Sequence, residues 1–187
     1  MALICRDAVP VDAPAASAVE ATHPWFAVRV RSNFEQMTAA ALRGKGYEEF
    51  LPVYRARRRW SDRLKEVDCP LFPGYVFCRF DVENRLPVLV TPGVISILGM
   101  GKTPVPLDEG EIEAVRVIVR SGLVAGPWPF VRVGQAVYIE EGPLAGAEGV
   151  VIKVKGRYRL VASVTLLQRS VYVEIDREWV RPIPGRD

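Results

Sequence analysis

Two groups of side chains in this 187-residue sequence could do chemistry, and in both it is the chemistry of binding. The first is Arg55-Ala56-Arg57-Arg58-Arg59-Trp60-Ser61-Asp62-Arg63-Leu64-Lys65. Six bases against one acid give this segment +5, more than the net charge of +3 carried by the whole chain. Arginines pair with phosphates, and an aromatic set among them can stack on a base. Nucleic-acid contact by Arg55, Arg57, Arg58, Arg59, Trp60 and Arg63 is one reading; a solvated loop is the other. The second group lies in Pro70-Leu71-Phe72-Pro73-Gly74-Tyr75-Val76-Phe77-Cys78-Arg79-Phe80. Pro73 and Gly74 make a turn that feeds a short strand. Along it Val76, Cys78 and Phe80 form a core face, and Tyr75, Phe77 and Arg79 point the other way. Two aromatics on that second face need either a covering helix or a partner protein.

Catalysis lacks its groups. The lone histidine, His23, sits beside Pro24, so the commonest general base is missing from the rest of the chain. The three cysteines, Cys5, Cys69 and Cys78, are odd in number and have no ligand spacing, which fits a reduced cytosolic compartment. Gly99-Met100-Gly101-Lys102-Thr103 resembles the end of a phosphate loop, but position 96 is Ser96 where that loop needs glycine. No metal, cofactor or enzymatic activity is expected. No apolar run approaches the roughly 20 residues of a membrane span, and no secretory signal is read at the N-terminus.

The elements that position these groups can be read in order. Residues 1–23 read as a disordered leader rich in Ala, Pro and Val. Trp25 to Val30 alternates as a strand. Ser32-Asn33-Phe34-Glu35 has the capping-box pattern and predicts a helix to about Arg43, with Phe34, Met37, Ala41 and Ala40 inward. Tyr47 to Tyr54 is a strand interrupted by Pro52, and the basic segment forms a hairpin arm. After an irregular stretch from Asp81 to Val90, Val94 to Leu98 reads as a buried strand. Asp108 and Glu111 make a reciprocal cap for a helix burying Ile112, Val115, Ile118 and Val119. Gly126-Pro127-Trp128-Pro129 reads as a stiff linker. About five short Val-rich strands follow, the pattern of a small barrel. The expected fold is α+β: a four-stranded antiparallel sheet flanked by helices over residues 24–122, a linker over 123–130, and a β-barrel over 131–184.

On these residues the chain resembles the NusG family of transcription elongation factors. Leu51-Pro52, Leu71-Phe72-Pro73-Gly74-Tyr75-Val76-Phe77 and Thr91-Pro92-Gly93-Val94 match the order of its N-terminal (NGN) domain. Val133-Gly134-Gln135-Ala136-Val137 and Glu141 to Val151 look like its SH3-like KOW barrel. The resemblance implies that the first domain binds the clamp helices of the largest RNA polymerase subunit and suppresses pausing. It implies an aromatic patch for that contact, with Tyr75 and Phe77 on the matching positions; Met100 and Ile97 stand where relatives extend the patch, a core role being the other reading of Ile97. Ala147, and Leu166-Leu167-Gln168-Arg169-Ser170 in place of a Phe-Gly-Arg pattern, depart from the housekeeping members. Contacts with ribosomal protein uS10 or Rho are therefore not carried over. The departures are similar to those of specialised RfaH/UpxY-like antiterminators, which act on selected operons after recruitment by a DNA or RNA element. Arg31 and the Arg55–Lys65 arm are then candidates for contact with non-template DNA or nascent RNA. The Val, Gly and Tyr content of the second domain favours a barrel, with no refolding into helices. A ribosomal or other RNA-binding KOW module is the alternative, weakened by Glu140, Glu141, Glu148, Glu174, Asp176 and Glu178.

Overall fold

The computed structural model describes residues 23–60, 63–129, 135–154 and 157–182. The leader before His23 lies outside them. Alternating apolar residues build a four-stranded antiparallel sheet in the order β2-β5-β1-β6, from β1 (Trp25–Val30), β2 (Glu49–Phe50), β5 (Tyr75–Arg79) and β6 (Val94–Ile97). One face packs on α1 (Glu35–Gly44) and α2 (Leu86–Leu89), burying Phe26, Val28, Val30, Val76, Cys78 and Phe80 against Ala39, Leu42 and Val88. The other face carries Trp25, Ala27 and Phe77 and packs on Ile112, Val115 and Ile118 of α3 (Glu109–Arg120). Between β2 and β5 the chain rises in a hairpin, β3 (Val53–Trp60) paired with β4 (Arg63–Pro70). The expected basic arm is therefore a two-stranded antiparallel ladder. A smaller hairpin, β7 (Gly99–Met100) with β8 (Thr103–Pro104), precedes α3.

The first helix departs from its expected geometry. Its inward residues are Glu35, Thr38, Ala39 and Leu42, whereas Phe34 and Met37 are exposed. No side chain caps it, and Asn33 takes a left-handed φ of +66°. The Glu35 carboxylate does not return to the helix start; it accepts from the Gly74 amide at 2.9 Å. That bond ties α1 to the Phe72–Tyr75 turn, where the Tyr75 amide donates to the Phe72 carbonyl at 3.1 Å and Gly74 has φ +84°. Such a turn needs a residue free of Cβ at its third position. The strand expected to be buried, β6, is instead the sheet edge, and its Ile95 is exposed.

The second half of the chain forms a six-stranded antiparallel sheet in the order β14-β10-β11-β12-β13-β9. Its strands are β9 (Ala125–Pro129), β10 (Gln135–Ile139), β11 (Glu148–Val154), β12 (Arg157–Val164), β13 (Arg169–Ile175) and β14 (Val180–Pro182). Among the described residues no ladder joins β14 to β9. The expected linker thus becomes a strand: β9 pairs with β13 from Ala125↔Val173 to Pro129↔Arg169. Pro127 and Pro129 fit there because β9 is at the sheet edge. Only Ser121 to Val124 remain between α3 and this sheet. The α3-side core runs on without a break into Val137, Leu160, Val164, Val171 and Val173, so the two sheets share one apolar cluster.

Candidate partner interface

Across the α3 side of the first sheet, Phe50, Phe77 and Ala27 lie side by side by strand register, and the Leu98 amide donates to the Ala27 carbonyl at 2.8 Å. Phe77 is fully buried, stacked on Phe50 at 6.1 Å and edge-on to Phe72 at 5.4 Å. The exposed face expected for both aromatics is therefore corrected. Phe77 is a prop beneath the surface, with α3 as its cover, and Tyr75 alone of the two is half-exposed.

The expected extension of the patch is corrected too. Ile97 pairs with Val28 and packs on the α1 side, opposite to Tyr75 and Phe77. A register shift between Arg29 and Val30 accounts for this. A one-residue offset in a strand exchanges its faces. Leu98 packs on the Tyr75 side instead. Met100 is 78% exposed on the β7–β8 hairpin, free for contact.

Tyr75 faces the second sheet. The guanidinium of Arg169 lies 5.3 Å from the centre of its ring, and Arg169 Nη1 donates to the Pro73 carbonyl at 3.0 Å. Nearby, the Thr165 amide donates to both Glu111 carboxylate oxygens, at 3.1 and 3.2 Å. The expected cap at α3 is half present: Asp108 accepts from the Glu111 amide at 3.2 Å, but the Glu111 side chain reaches the second sheet. Leu166 and Leu167 pack on the shared core, and Gln168 turns the chain with φ +49°. The segment that departs from the housekeeping pattern is thus the one that covers Tyr75. Sequence reasoning missed Leu98, Glu111 and Arg169. The Arg169 position was visible as a departure, but its target lies 94 residues away in the chain.

Of the nucleic-acid candidates, Arg31 and Arg55 are exposed. The backbone of Arg57, Arg58, Arg59, Trp60 and Arg63 lies on the hairpin, while their side chains lie outside the described residues. Arg55 stands opposite Asp68 in the ladder. Beneath the sheet, Arg79 and Arg116 flank the buried Trp25 ring at 4.8 Å each, and both pair with Glu48. These cations build the core edge. Burial of Cys78, with the charges of Glu49 and Glu48 behind it, pushes its thiol up to about 12. It stays protonated and inert. Among the described residues no group of three or more His, Cys, Asp or Glu could hold a metal ion, and no helix is long and apolar enough to cross a membrane.

Residues 23–116 match the family model described as transcription termination factor nusG. The transcription termination/antitermination protein NusG of Lactococcus lactis is 28% identical over 174 residues, covering 85% of this chain and 92% of that protein. The protein of the same name from Thermus thermophilus is 29% identical over 175 residues, covering 81% and 94%. A solved structure of domain interaction in Thermotoga maritima NusG superposes with a TM-score of 0.52 at 22% identity, covering 87% of this chain and 98% of that one, which supports a common fold. With half of its length matched by the family model, this chain belongs to the NusG family of transcription termination and antitermination factors.

Proposed function

We propose that the chain binds the clamp helices of RNA polymerase through the surface around Tyr75, suppresses pausing, and serves selected operons as a specialised RfaH/UpxY-like member. The observation that carries this reading is the build of that surface. Tyr75 is half-exposed beside the packed rings of Phe77, Phe72 and Phe50, and over it lie the Arg169 guanidinium and the Leu166–Leu167 turn, which packs on the core that the two sheets share. Tyrosines set against packed neighbours are enriched among the anchors of protein interfaces. The second domain acts as a KOW-type barrel, and the basic hairpin with Arg31 follows non-template DNA or nascent RNA.

The test is co-elution of the full chain with the host RNA polymerase, wild type against Tyr75→Ala. Loss of binding by a natively folded Tyr75→Ala protein is the expected result. Undiminished binding would overturn the assignment of the surface. Phe77→Ala is the wrong probe, because removing a buried floor residue disturbs the fold as well.

A further inference from the structure

β9 is a short strand at the sheet edge, with β13 as its one neighbour among the described residues. Pro127 and Pro129 have no N–H to donate, but the register places both at positions that face away from β13, so the ladder loses no bond to them. It stays paired along its whole length, and the Glu174 amide extends the contact to the Val124 carbonyl at 2.9 Å. Side chains add to this one-sided ladder. Arg159 of β12 reaches across β13 and places its guanidinium 4.1 Å from the Tyr172 ring centre and 4.8 Å from that of Trp128. The two rings meet edge-on at 5.5 Å, and Arg159 Nη2 donates to Glu174 at 3.2 Å. One cation therefore binds three adjacent strands. It is only 17% exposed, where cation–π attraction is strongest. Gly126 completes the fit: a Cβ there would lie 3.0 Å from the Tyr172 ring.

We propose that Arg159 is a positioning residue that fastens the interdomain connection to the second sheet, and so sets how readily the Thr165–Arg169 turn returns to the Tyr75 surface. With β9 fastened, the joint is only Ser121, Gly122 and Leu123, spanning at most about 11 Å. With β9 released, the tether runs from Ser121 to Pro129. Effective concentration falls roughly as the −3/2 power of tether length, so tripling the tether weakens the return of the turn about fivefold. The fastening is independent of what Tyr75 binds; its regulatory consequence rests on the polymerase reading above.

Hydrogen exchange on the full chain, read by mass spectrometry, tests the fastening. In the wild type, the Gly126 and Trp128 amides, which face β13, are expected to exchange as slowly as β13 itself. In Arg159→Ala they are expected to exchange at least tenfold faster, while β10 and β11 keep their protection. Trp128→Ala, which removes one ring without touching β12, reproduces this and decides the matter if Arg159→Ala fails to fold. Free exchange of the Gly126 and Trp128 amides in the wild type, or unchanged exchange in a folded variant, overturns the proposal. Titration with RNA polymerase tests the consequence: Arg159→Ala binds about three- to fivefold more tightly. Unchanged affinity with a released β9 overturns the regulatory half. Absence of binding by every variant and the wild type overturns the polymerase reading, and exchange alone then judges the fastening.

Discussion

At the scale of single residues, Tyr75 and Phe77 share a strand face and have different work. Phe77 has no exposed surface and touches Phe50 and Phe72, so Phe77→Ala opens a cavity and costs about 3–5 kcal/mol of stability. Tyr75 is half-exposed, so Tyr75→Ala leaves stability within about 1 kcal/mol and weakens partner binding by about 2 kcal/mol or more, some 30-fold. Urea unfolding beside a polymerase titration separates the two; equal losses of stability would place both rings in the core. Cys78 gives a second prediction. Its folded thiol titrates near 12, well above an unfolded cysteine, so the stability linked to it is complete below about pH 8.5 and declines as pH rises towards 12. An aromatic disulfide reagent at pH 8 should modify the half-exposed Cys69 and spare Cys78 until the protein unfolds. Rapid labelling of Cys78 in the native protein would contradict its burial.

At the scale of elements, the strands were legible and the faces of their neighbours were less so. The alternation through Val76, Cys78 and Phe80 reads correctly because both sides of β5 meet a packed layer. The faces of α1 and β6 misread for local reasons that involve distant residues. Glu35 looks like a cap, yet its carboxylate is claimed by Gly74, which rotates Phe34 and Met37 outward. The register shift opposite Arg29 turns Ile97 to the α1 side and leaves Leu98 on the Tyr75 side, and no spacing announces it. Gly126-Pro127-Trp128-Pro129 has the composition of a linker. It is a strand because it pairs with β13, supplied some 40 residues later, and Tyr172 and Arg159 lie against Trp128. Gly93 is a test at this scale. It has φ +90°, and a Cβ there would meet Thr38 Oγ1 at 2.3 Å, the hydroxyl that donates to the Pro92 carbonyl. Gly93→Ala therefore strains the backbone and pushes α1 from β6, at a cost of about 2–3 kcal/mol in chemical unfolding. Thr38→Ser in the same background should recover little, because the offending atom is the hydroxyl. A neutral Gly93→Ala would mean that the turn is not held against α1.

At the scale of the molecule, charge is distributed unevenly. The Arg55–Lys65 segment holds +5 of a net +3, which leaves the rest of the chain at −2. Without the hairpin the protein has no net attraction for phosphate, and its mixed second domain, with Arg157 and Arg159 both paired to Glu174, offers little in compensation. Nucleic-acid affinity should therefore reside in the arm rather than spread over the surface, and salt separates this from a merely solvated hairpin. Each phosphate neutralised on a single strand adds about 0.7 to the slope of log affinity against log salt. If three or four of the five hairpin arginines make such contacts, their joint replacement by glutamine lowers the slope by about 2–3 and affinity at low salt by at least tenfold. Trp60→Ala lowers affinity with little change of slope, because stacking releases no counterions. A fivefold-substituted hairpin that binds single-stranded DNA with unchanged affinity and slope would return the arm to the role of a solvated ladder. The proposed partner surface at Tyr75 would stand or fall separately.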